Sequence, residues 1–372
     1  MSNSLDLLFF IGRPLSPFYG LAMKVREKLY AKGVLPRQSL PVPVISIGNL
    51  VLGGTGKTPT VKYLAEFLKA QGYRPAIISR GYGGESRRKV NIVSAGGAVL
   101  LSPQQAGDEP YMLASALPGT PVLTGKRRIC PSRWAVEKLK SDILILDDGF
   151  QHLAVKRDID IVLFDGTDLA GNSRIFPGGV LREPVAALNR CNAFLITGVT
   201  ADNRKKAECF GELLQSRFIN KPVFYSSIGS YDLRTPADAT AISPDEKIFF
   251  GFCGIANPAR FHDSLTSLGV RLAGFVALPD HAKYSQSIMD NICAKAADSG
   301  ARFLVTTEKD SVKLKRLNIS LPLSVLEIRA QAEGAFDAFI LESLERLKKG
   351  TAHGSGNEGH RQQGCCVINP SI

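Results

Sequence analysis

Short apolar runs alternate along the first half of the chain with longer stretches whose apolar residues recur every three or four positions. This alternation predicts strands joined by helices. Because the runs are almost continuously apolar, they favour an α/β fold with a mostly parallel sheet and helices on both faces. The strands are predicted at 42–47, 75–79, 121–124, 143–146, 159–164 and 193–197, with helices after residue 57, at 105–116 and at 132–140.

The second half of the chain repeats this alternation with new elements. Its strands are predicted at 223–225, 247–253, 272–276, 303–306 and 323–328, and its helices at 202–218, 258–268, 285–299 and 333–348. We therefore expect a first domain over 36–220 and a smaller C-terminal α/β domain over 221–349. Residues 350–372 are rich in Gly and polar residues and have no apolar periodicity, which predicts a disordered tail.

The N-terminal segment, 1–35, has a different character. Its first apolar run, 7–11, is far shorter than the roughly 20 residues that a membrane span needs. A helical stripe follows, made of Phe18, Leu21, Ala22, Val25 and Leu29, with Lys24, Glu27 and Lys28 off the stripe. This pattern is typical of an amphipathic helix in a membrane interface, with cations near the headgroups. A helix packed on the protein's own core would give the same stripe.

Composition narrows the choice of partners. Lys and Arg number 46 and Asp and Glu number 34, so the net charge of +12 favours anionic partners. No nucleic-acid-binding motif accompanies the charge, so we expect lipid headgroups or phosphorylated substrates instead of nucleic acid. The seven cysteines are unpatterned and no CxxC pair occurs, which is typical of a protein from a reducing compartment.

A glycine-rich turn follows the first predicted strand and precedes a helix. Its backbone N–H groups and the helix N-terminus are suited to phosphate oxygens, while Lys57 reaches the terminal phosphates and Thr58 ligates Mg²⁺. Val51 stands where the strict P-loop pattern has Gly, and Leu52 stands where partitioning-type ATPases have Lys. The turn is thus a P-loop of unusual subtype. The predicted nucleotide-binding residues are Gly53, Gly54, Thr55, Gly56, Lys57 and Thr58.

Two acidic pairs are candidates for chemistry near this loop. Asp147 and Asp148 follow a buried strand, at the sheet edge where Mg²⁺ is held in such folds. Asp108 and Glu109 stand at a predicted helix start. A carboxylate there accepts the proton of an attacking hydroxyl or merely caps the helix, and the local pattern leaves both open. Asp280-His281 has the same open status, and the arginines at 127, 128, 174 and 182 are candidates for binding substrate phosphate.

With these segments in order, the chain resembles the tetraacyldisaccharide 4'-kinases of lipid A synthesis. The matching stretches are VISIGNLVLGGTGKTP at 44–59, SRGYGG at 79–84, GDEP at 107–110, DDGFQH at 147–152, DIDIVLFD at 158–165, PGGVLREP at 177–184, GIANPARF at 254–261, DHAKY at 280–284 and TTEKDSVK at 306–313. The family pattern also lacks the Gly at 51, so that departure supports the resemblance.

The resemblance implies transfer of the γ-phosphate of ATP, with Mg²⁺, to the 4'-hydroxyl of tetraacyldisaccharide 1-phosphate, which gives lipid IVA. It also implies a peripheral or monotopic protein on the cytoplasmic face of the bacterial inner membrane, with no obligate protein partner. The implied catalytic residues are Asp108 as general base, His281 as its orienting partner, Lys57, Asp147 and Asp148. The implied metal ligands are Thr58, Glu109 and Asp147, and the implied substrate-binding residues are Tyr82, Arg128, Arg182 and Gln151.

One rival class is a P-loop partitioning or switch ATPase, which binds and releases a partner instead of modifying a small molecule. Leu52 in place of the signature lysine argues against it. A GTPase would carry an [NT]KxD motif, and neither 220–223 nor 307–310 fits that pattern.

Overall fold

A computed structural model describes residues 2–234, 248–280 and 282–353. Its strands are β1 Val44–Asn49, β2 Pro75–Ser79, β3 Asn91–Ala95, β4 Pro121–Thr124, β5 Ile143–Asp147, β6 Ile159–Asp165, β7 Ala193–Thr197, β8 Val223–Arg234, β9 Ile248–Cys253, β10 Arg271–Ala277, β11 Phe303–Thr307 and β12 Leu323–Ala332. They form one sheet in the order β10-β9-β11-β12-β8-β7-β6-β1-β5-β2-β4-β3.

The helices flank this sheet. They are α1 Ser2–Gly12, α2 Ser16–Ala31, α3 Lys57–Ala70, α4 Pro103–Ala106, α5 Asp108–Ala116, α6 Ile129–Glu137, α7 Arg204–Arg217, α8 Pro258–Ser267, α9 Gln286–Asp298, α10 Glu308–Leu314 and α11 Gly334–His353, with 3₁₀ turns at Arg13–Leu15 and Val185–Arg190. The prediction of an α/β fold with a mostly parallel sheet is confirmed: only β3–β4 and β8–β12 pair antiparallel among the described strands.

Several element bounds differ from the sequence expectation. The helix predicted at 105–116 is two helices, α4 and α5, because Gly107 has φ +91° and interrupts the helical path. The strand predicted at 223–225 is the beginning of the 12-residue β8. Strand β3 and helices α1 and α10 were not predicted, and α6 begins at Ile129 instead of 132.

The position of the central strands in the core explains why their sequences are almost continuously apolar. Strands β1 and β5 lie in the middle of the sheet and every residue of both is buried. On one face, α3 and α5 pack over them through buried residues such as Leu64 and Leu113. This burial against the sheet is what stabilises the element that follows the glycine-rich turn.

The two halves of the chain share this sheet. Strand β8 pairs with β7 on one side and with β12 on the other. Helix α11 lies within the predicted C-terminal domain, yet its Phe336, Ile340 and Leu344 pack into the same core as α3. Lys62 of α3 also forms ion pairs with Glu308, at 3.4 Å, and with Glu327. The predicted domain boundary at residue 220 stays a prediction. Helix α11 packs into the core that also contains α3, although it follows that boundary in the sequence.

Helices α1 and α2 lie against the first half of the molecule. The Ser16 hydroxyl donates to the carbonyl of Ile175 at 2.9 Å, and the Tyr19 hydroxyl donates to the carbonyl of Arg182 at 3.0 Å. Large apolar side chains of the two helices and of the 3₁₀ turn between them are exposed: Leu7, Leu8, Phe10, Ile11, Leu15, Phe18, Leu21 and Val25. Among the described helices, none combines the length and apolar character that crossing a bilayer requires.

Candidate active site

The glycine-rich turn lies at the carboxyl end of β1, between the neighbouring ends of β5 and β6. Gly56 has φ +68°, and a Cβ there would lie 3.0 Å from the Thr197 hydroxyl, so both conformation and space require glycine. The Thr197 hydroxyl donates to the Thr55 carbonyl at 3.1 Å. Helix α3 begins immediately afterwards, at Lys57. The first N–H groups of this helix have no intrahelical partner, which suits them to phosphate oxygens.

A large cleft, about 1480 Å³ in volume, opens above this turn between the two halves of the chain. The structure brings nearly all of the predicted site residues to its walls: Gly53, Gly54, Thr55, Gly56, Lys57, Thr58, Tyr82, Asp108, Glu109, Arg128, Asp147, Asp148 and Arg182. His281 lies outside the described residues, so its predicted position beside Asp108 stays a prediction.

The two aspartates that end β5 differ in their surroundings. Asp147 is buried and accepts a hydrogen bond from the Ser79 hydroxyl at 3.0 Å. Asp148, at φ +51°, turns outward to the cations of the cleft. Its two carboxylate oxygens each accept from Nη1 of Arg182 at 2.9 Å, and Lys57 Nζ lies 3.9 Å from Oδ1.

These surroundings shift the pKa values of the two carboxyls in opposite directions. Burial, together with the nearby charges of Glu109 and Asp148, raises the pKa of Asp147 to about 6. Burial would raise the pKa of Asp148 too, but Lys57 and Arg182 lower it overall. Burial also lowers the pKa of Lys57, opposed by Asp148. The two neighbouring carboxyls thus differ, because Asp147 is buried beside other acids whereas Asp148 is paired with cations.

Arg128 contacts the backbone of the Asp147–Asp148 turn. Its guanidinium is buried and donates through Nη2 to the Asp147 carbonyl at 3.4 Å. Its buried Nε has no hydrogen-bond partner among the described residues. Arg128 and Arg182 therefore place two guanidinium groups around the Asp147–Asp148 turn, where anionic groups of a ligand would meet them.

The GDEP segment is held in place by the SRGYGG turn. A Cβ at Gly107 would lie 2.5 Å from the Tyr82 carbonyl oxygen, so the two loops approach more closely than a side chain permits. Helix α5 begins directly afterwards, which places Asp108 and Glu109 in its first turn and at the cleft. Tyr82 itself is 78% exposed on the cleft wall. Lys313 Nζ, from α10 on the opposite side, lies 3.6 Å from Asp108 Oδ2.

Gln151 is the one described member of the predicted substrate-binding set that does not line the cleft, and its substrate-binding role stays a prediction. The chain turns away from the cleft after Asp148, and the Gln151 amide donates to the Asn49 carbonyl at 3.0 Å. The Gln151 carbonyl accepts from Arg26 of α2 at 2.9 Å. Gln151 therefore ties the end of β1 to α2. Its neighbour His152 is half-buried beside several arginines, and desolvation together with those charges lowers its pKa to about 3 and keeps it neutral.

Some cleft residues were not singled out from the sequence. Arg260 of α8 pairs with Asp165 at the end of β6, Nη1 to Oδ2, at 2.5 Å. Lys313 pairs with Asp108 and with Asp310, the latter at 3.2 Å. Arg260 belongs to the stretch GIANPARF and Lys313 to the stretch TTEKDSVK, and both stretches carry the family resemblance. That resemblance was a signal for their importance but not for their partners Asp165 and Asp108, which lie in the other half of the chain.

The described residues contain no metal site that is built from protein side chains alone. No group of three or more His, Cys, Asp or Glu among them is arranged to hold a metal ion. Thr58, Glu109 and Asp147, the predicted metal ligands, offer a hydroxyl and two carboxylates that line one cleft.

Comparison with known proteins gives a consistent result. The family model for tetraacyldisaccharide-1-P 4'-kinase matches residues 8–345. The tetraacyldisaccharide 4'-kinase of Desulfotalea psychrophila is 46% identical over 91% of this chain and 97% of its own length. The corresponding protein of Syntrophus aciditrophicus is 39% identical over 89% of this chain and 91% of its own.

A solved structure is similar as well. The crystal structure of "apo" form LpxK from Aquifex aeolicus in complex with ATP superimposes with a TM-score of 0.70 at 32% sequence identity. The match covers 89% of this chain and 98% of that one. The fold, the order of the site motifs and the extent of these matches agree, and the chain belongs to the tetraacyldisaccharide-1-P 4'-kinase family.

Proposed function

We propose that this protein transfers the γ-phosphate of ATP to the 4'-hydroxyl of tetraacyldisaccharide 1-phosphate, giving lipid IVA in lipid A biosynthesis. The observation that carries the proposal is one cleft whose walls include a phosphate loop, the Asp147–Asp148 turn and Asp108. Family membership over most of the chain supports the identity of both substrates. A loop for phosphates, acids for a metal and a carboxylate for the acceptor are the parts that phosphoryl transfer needs.

The nucleotide is proposed to bind with its phosphates on residues 53–58. The N-terminus of α3 contributes N–H groups and a partial positive charge, and Lys57 adds an ammonium near the terminal phosphates. Because Lys57 is already 3.9 Å from Asp148, its ammonium is held at the cleft floor before any ligand arrives. A positioned cation of this kind stabilises charge on the transferring group without reorganisation during the reaction.

Magnesium fits the donor set at the acidic edge. Mg²⁺ is commonly bound by one or two carboxylates together with substrate phosphates and water. Thr58, Glu109 and Asp147 offer a hydroxyl and two carboxylates in the cleft, and burial, together with the charges of Glu109 and Asp148, raises the pKa of Asp147. When bound, the ion would neutralise charge on the phosphate oxygens. Asp148 is proposed to hold Lys57 and Arg182 in place beside it.

Asp108 is proposed as the general base. It lines the same cleft as the phosphate loop, at the first turn of a helix that begins directly after Gly107. The proposed step moves the 4'-hydroxyl proton to Asp108 as the oxygen attacks the γ-phosphorus and the bond to the ADP oxygen breaks. Tyr82, Arg128 and Arg182 are proposed to contact the sugar and its 1-phosphate. His281 keeps its predicted role as the partner that orients the base.

We further propose that α1 and α2 lie in the cytoplasmic face of the bacterial inner membrane, which makes the protein peripheral or monotopic. Phe10 of α1 and Phe18 and Leu21 of α2 are 62%, 72% and 60% exposed. Arg13 and Lys24 stand beside them, as expected for helices near anionic headgroups. Because Tyr19 of α2 bonds to the backbone of Arg182, the helix pair lies next to a cleft residue. A lipid-anchored sugar would reach the cleft from that side.

The kinase proposal is tested by incubating purified protein with γ-labelled ATP and tetraacyldisaccharide 1-phosphate in detergent. We expect label in the lipid, and ATP consumption that depends on the lipid. A switch ATPase would instead consume ATP at the same rate without lipid. The Asp108→Ala variant should lower kcat by about 100-fold or more while nucleotide affinity is nearly kept. Near-normal turnover of this variant would remove Asp108 from the mechanism.

The membrane proposal is tested by pelleting with vesicles that contain anionic phospholipid. Burying a Phe side chain is worth about 1.5–3 kcal/mol, so the double variant Phe10→Glu and Phe18→Glu should weaken binding by about 100-fold or more. Ile219→Glu is the matched control, because Ile219 is 77% exposed after α7 and lies outside the helix pair. Equal pelleting of the double variant and the wild type would refute the interface.

A further inference from the structure

Arg190 ends the 3₁₀ turn that follows the PGGVLREP stretch, and its side chain contacts three parts of the molecule. Its Nη1 lies 3.0 Å from Glu27 Oε1 of α2, and its Nη2 donates to Glu183 Oε2 at 2.9 Å. The guanidinium carbon lies 4.6 Å from the centroid of the Phe150 ring. Only 11% of the Arg190 side chain is exposed, so the guanidinium is largely shielded from water and its contacts are correspondingly strong.

The contact with Glu183 fixes the segment that carries Arg182. Glu183 directly follows Arg182 and is buried, and its Oε1 has no hydrogen-bond partner among the described residues. A buried carboxylate is costly unless a cation accompanies it, and Arg190 supplies that cation. Arg182 Nη1 in turn donates to both carboxylate oxygens of Asp148 at 2.9 Å. The Glu183–Arg190 pair therefore holds the backbone from which the Arg182 guanidinium extends.

The contact with Phe150 concerns the other partner, because Phe150 stands two residues after Asp148. Phe150 is fully buried, and a Cβ at Gly48 would lie 2.6 Å from the Phe150 Cβ, so the residue is pressed against the backbone of β1. Asp148 itself has φ +51°, a conformation that a residue other than glycine keeps only when its surroundings impose it. The contacts of Phe150 with β1 and Arg190 are part of those surroundings.

Arg182 and Asp148, named here the cleft pair, are too exposed to hold their own geometry. Their side chains are 23% and 38% exposed, and ion pairs that water reaches contribute little stability by themselves. The position of the cleft pair therefore depends on the two backbone segments that carry it. Lys57 Nζ lies 3.9 Å from Asp148, so a displaced Asp148 also releases the cation that is proposed to meet the terminal phosphates.

Helix α2 contacts the same two segments at two further points. The Tyr19 hydroxyl donates to the Arg182 carbonyl at 3.0 Å, and Arg26 Nη2 donates to the Gln151 carbonyl at 2.9 Å. Together with the ion pair of Arg190, these contacts join the helix that is proposed to lie in the membrane interface to the backbone that carries the cleft pair.

We propose that Arg190 is a positioning residue for phosphoryl transfer, because it fixes the two segments that carry the cleft pair and joins them to α2. This inference rests on the proposed kinase function and deepens it, since α2 then supports the site in addition to binding the membrane. Loss of the Arg190 guanidinium lowers turnover. The binding of ATP phosphates by the backbone of residues 53–58 and the binding of vesicles by α1 and α2 are kept.

The first test is Arg190→Met, assayed as phosphorylation of tetraacyldisaccharide 1-phosphate in detergent. We expect kcat to fall by about 10-fold or more, with the KM for ATP within about threefold of the wild type. Arg190→Lys keeps the charge but not the planar fork that contacts two carboxylates, so it should recover part of the loss. A normal kcat in Arg190→Met overturns the proposal.

Arg204→Met is the matched control. Arg204 also pairs with two carboxylates, those of Glu208 at 2.9 Å and Glu333 at 3.2 Å, and its guanidinium lies 5.8 Å from the centroid of the Tyr225 ring. All of these partners lie outside the segments that carry the cleft pair. We expect Arg204→Met to keep kcat, and an equal loss in both variants would overturn the proposal.

Arg190→Met leaves Glu183 buried without its cation, so the melting temperature is measured as well. The double variant Glu183→Gln and Arg190→Met removes both charges. We expect its melting temperature to recover toward that of the wild type while kcat stays low, because the ion pair that holds the segment is still missing. Recovery of kcat together with stability would show that folding alone is responsible, and would overturn the proposal.

Pelleting with vesicles that contain anionic phospholipid separates positioning from anchoring. Glu27→Gln changes only the α2 side of the contact, at a side chain that is 28% exposed. We expect Glu27→Gln and Arg190→Met to pellet as the wild type does, although both have a lower kcat. A loss of pelleting in proportion to kcat would mean that anchoring explains the effect, which contradicts the proposal.

Amide hydrogen exchange tests the same claim without enzyme activity. Peptides that cover 147–152 and 180–184 should exchange about 10-fold faster or more in Arg190→Met, whereas peptides of α9 should be unchanged. Unchanged exchange in both segments overturns the proposal even if the protein is a kinase. If the wild type forms no labelled lipid while exchange rises as expected, the kinase function fails and the positioning of the segments stands, so the two failures are distinguishable.

Discussion

Burial of the Asp147 carboxylate is expected to lower the stability of the protein, while the same carboxylate is proposed to serve catalysis. Replacing it by asparagine keeps the size and an acceptor for the Ser79 hydroxyl, which donates at 3.0 Å, but removes the charge. In the ligand-free protein the ionised carboxylate is unfavourable, since burial, Glu109 and Asp148 raise its pKa from 3.8 to about 6. We therefore expect Asp147→Asn to be more stable than the wild type at neutral pH and to be nearly inactive.

The magnitude follows from the two pKa values. Each unit of difference between these two pKa values corresponds to about 1.4 kcal/mol of unfolding free energy. The ionisation of Asp147 therefore lowers the unfolding free energy of the wild type by about 3 kcal/mol at pH 7. Between pH 4 and pH 6 the folded state holds a proton at Asp147 that the unfolded state has released, so the loss disappears as the pH falls through this window. For a chain of 372 residues, 3 kcal/mol corresponds to about 4 °C in melting temperature.

The assay is thermal unfolding of wild type and Asp147→Asn, in parallel, from pH 4 to pH 8. The difference between the two proteins cancels most other titrating groups. We expect Asp147→Asn to melt about 4 °C higher at pH 7 and the difference to vanish near pH 4. A difference of zero at every pH, or one that grows toward acid, would refute the description of Asp147 as a buried carboxylate under repulsion.

Two further predictions concern the supports of the cleft. Gly107→Ala places a methyl group 2.5 Å from the Tyr82 carbonyl at a positive φ, so we expect about 3 kcal/mol lower stability and a displaced Asp108, measured by urea unfolding and kcat. Gly97→Ala, where the added methyl meets no atom within 4 Å, is the control, and an equal effect would contradict the steric argument. Lys62→Met removes the cation between its two carboxylate partners and should lower the unfolding free energy by about 3–5 kcal/mol, while a change below 1 kcal/mol would mean that this ion pair does not hold the halves together.

The predictable part of the fold is the part whose pattern is local. Strands β1, β5, β6 and β7 are continuous apolar runs because both faces of a central parallel strand are covered, and each was expected within two residues at either end. Strand β3 was missed because it is an antiparallel edge strand interrupted by Asn91 and Ser94. Helix α10 was missed because it is a short, charged segment whose beginning depends on the Thr307 cap.

The site shows the same division. The phosphate loop and the Asp147–Asp148 turn are short motifs between buried elements, so their placement at one sheet edge followed from topology. Gln151 shares a motif with those aspartates but lies beyond the turn, where its amide satisfies a backbone carbonyl of β1. The partners of Lys313 depend on how distant segments pack. No local pattern of charges identifies them, since most charged residues of a chain are solvated.

The central claim is that the phosphate held at residues 53–58 is delivered to a sugar hydroxyl of a lipid and not to water. The most direct measurement is the fate of the γ-phosphate when the protein is incubated with ATP, Mg²⁺ and vesicles containing tetraacyldisaccharide 1-phosphate. We predict one new phosphomonoester on the 4' position of the lipid for every ADP formed, observed by ³¹P NMR of the extracted product. Release of inorganic phosphate at the same rate with and without the lipid, and an unmodified lipid, would contradict the account.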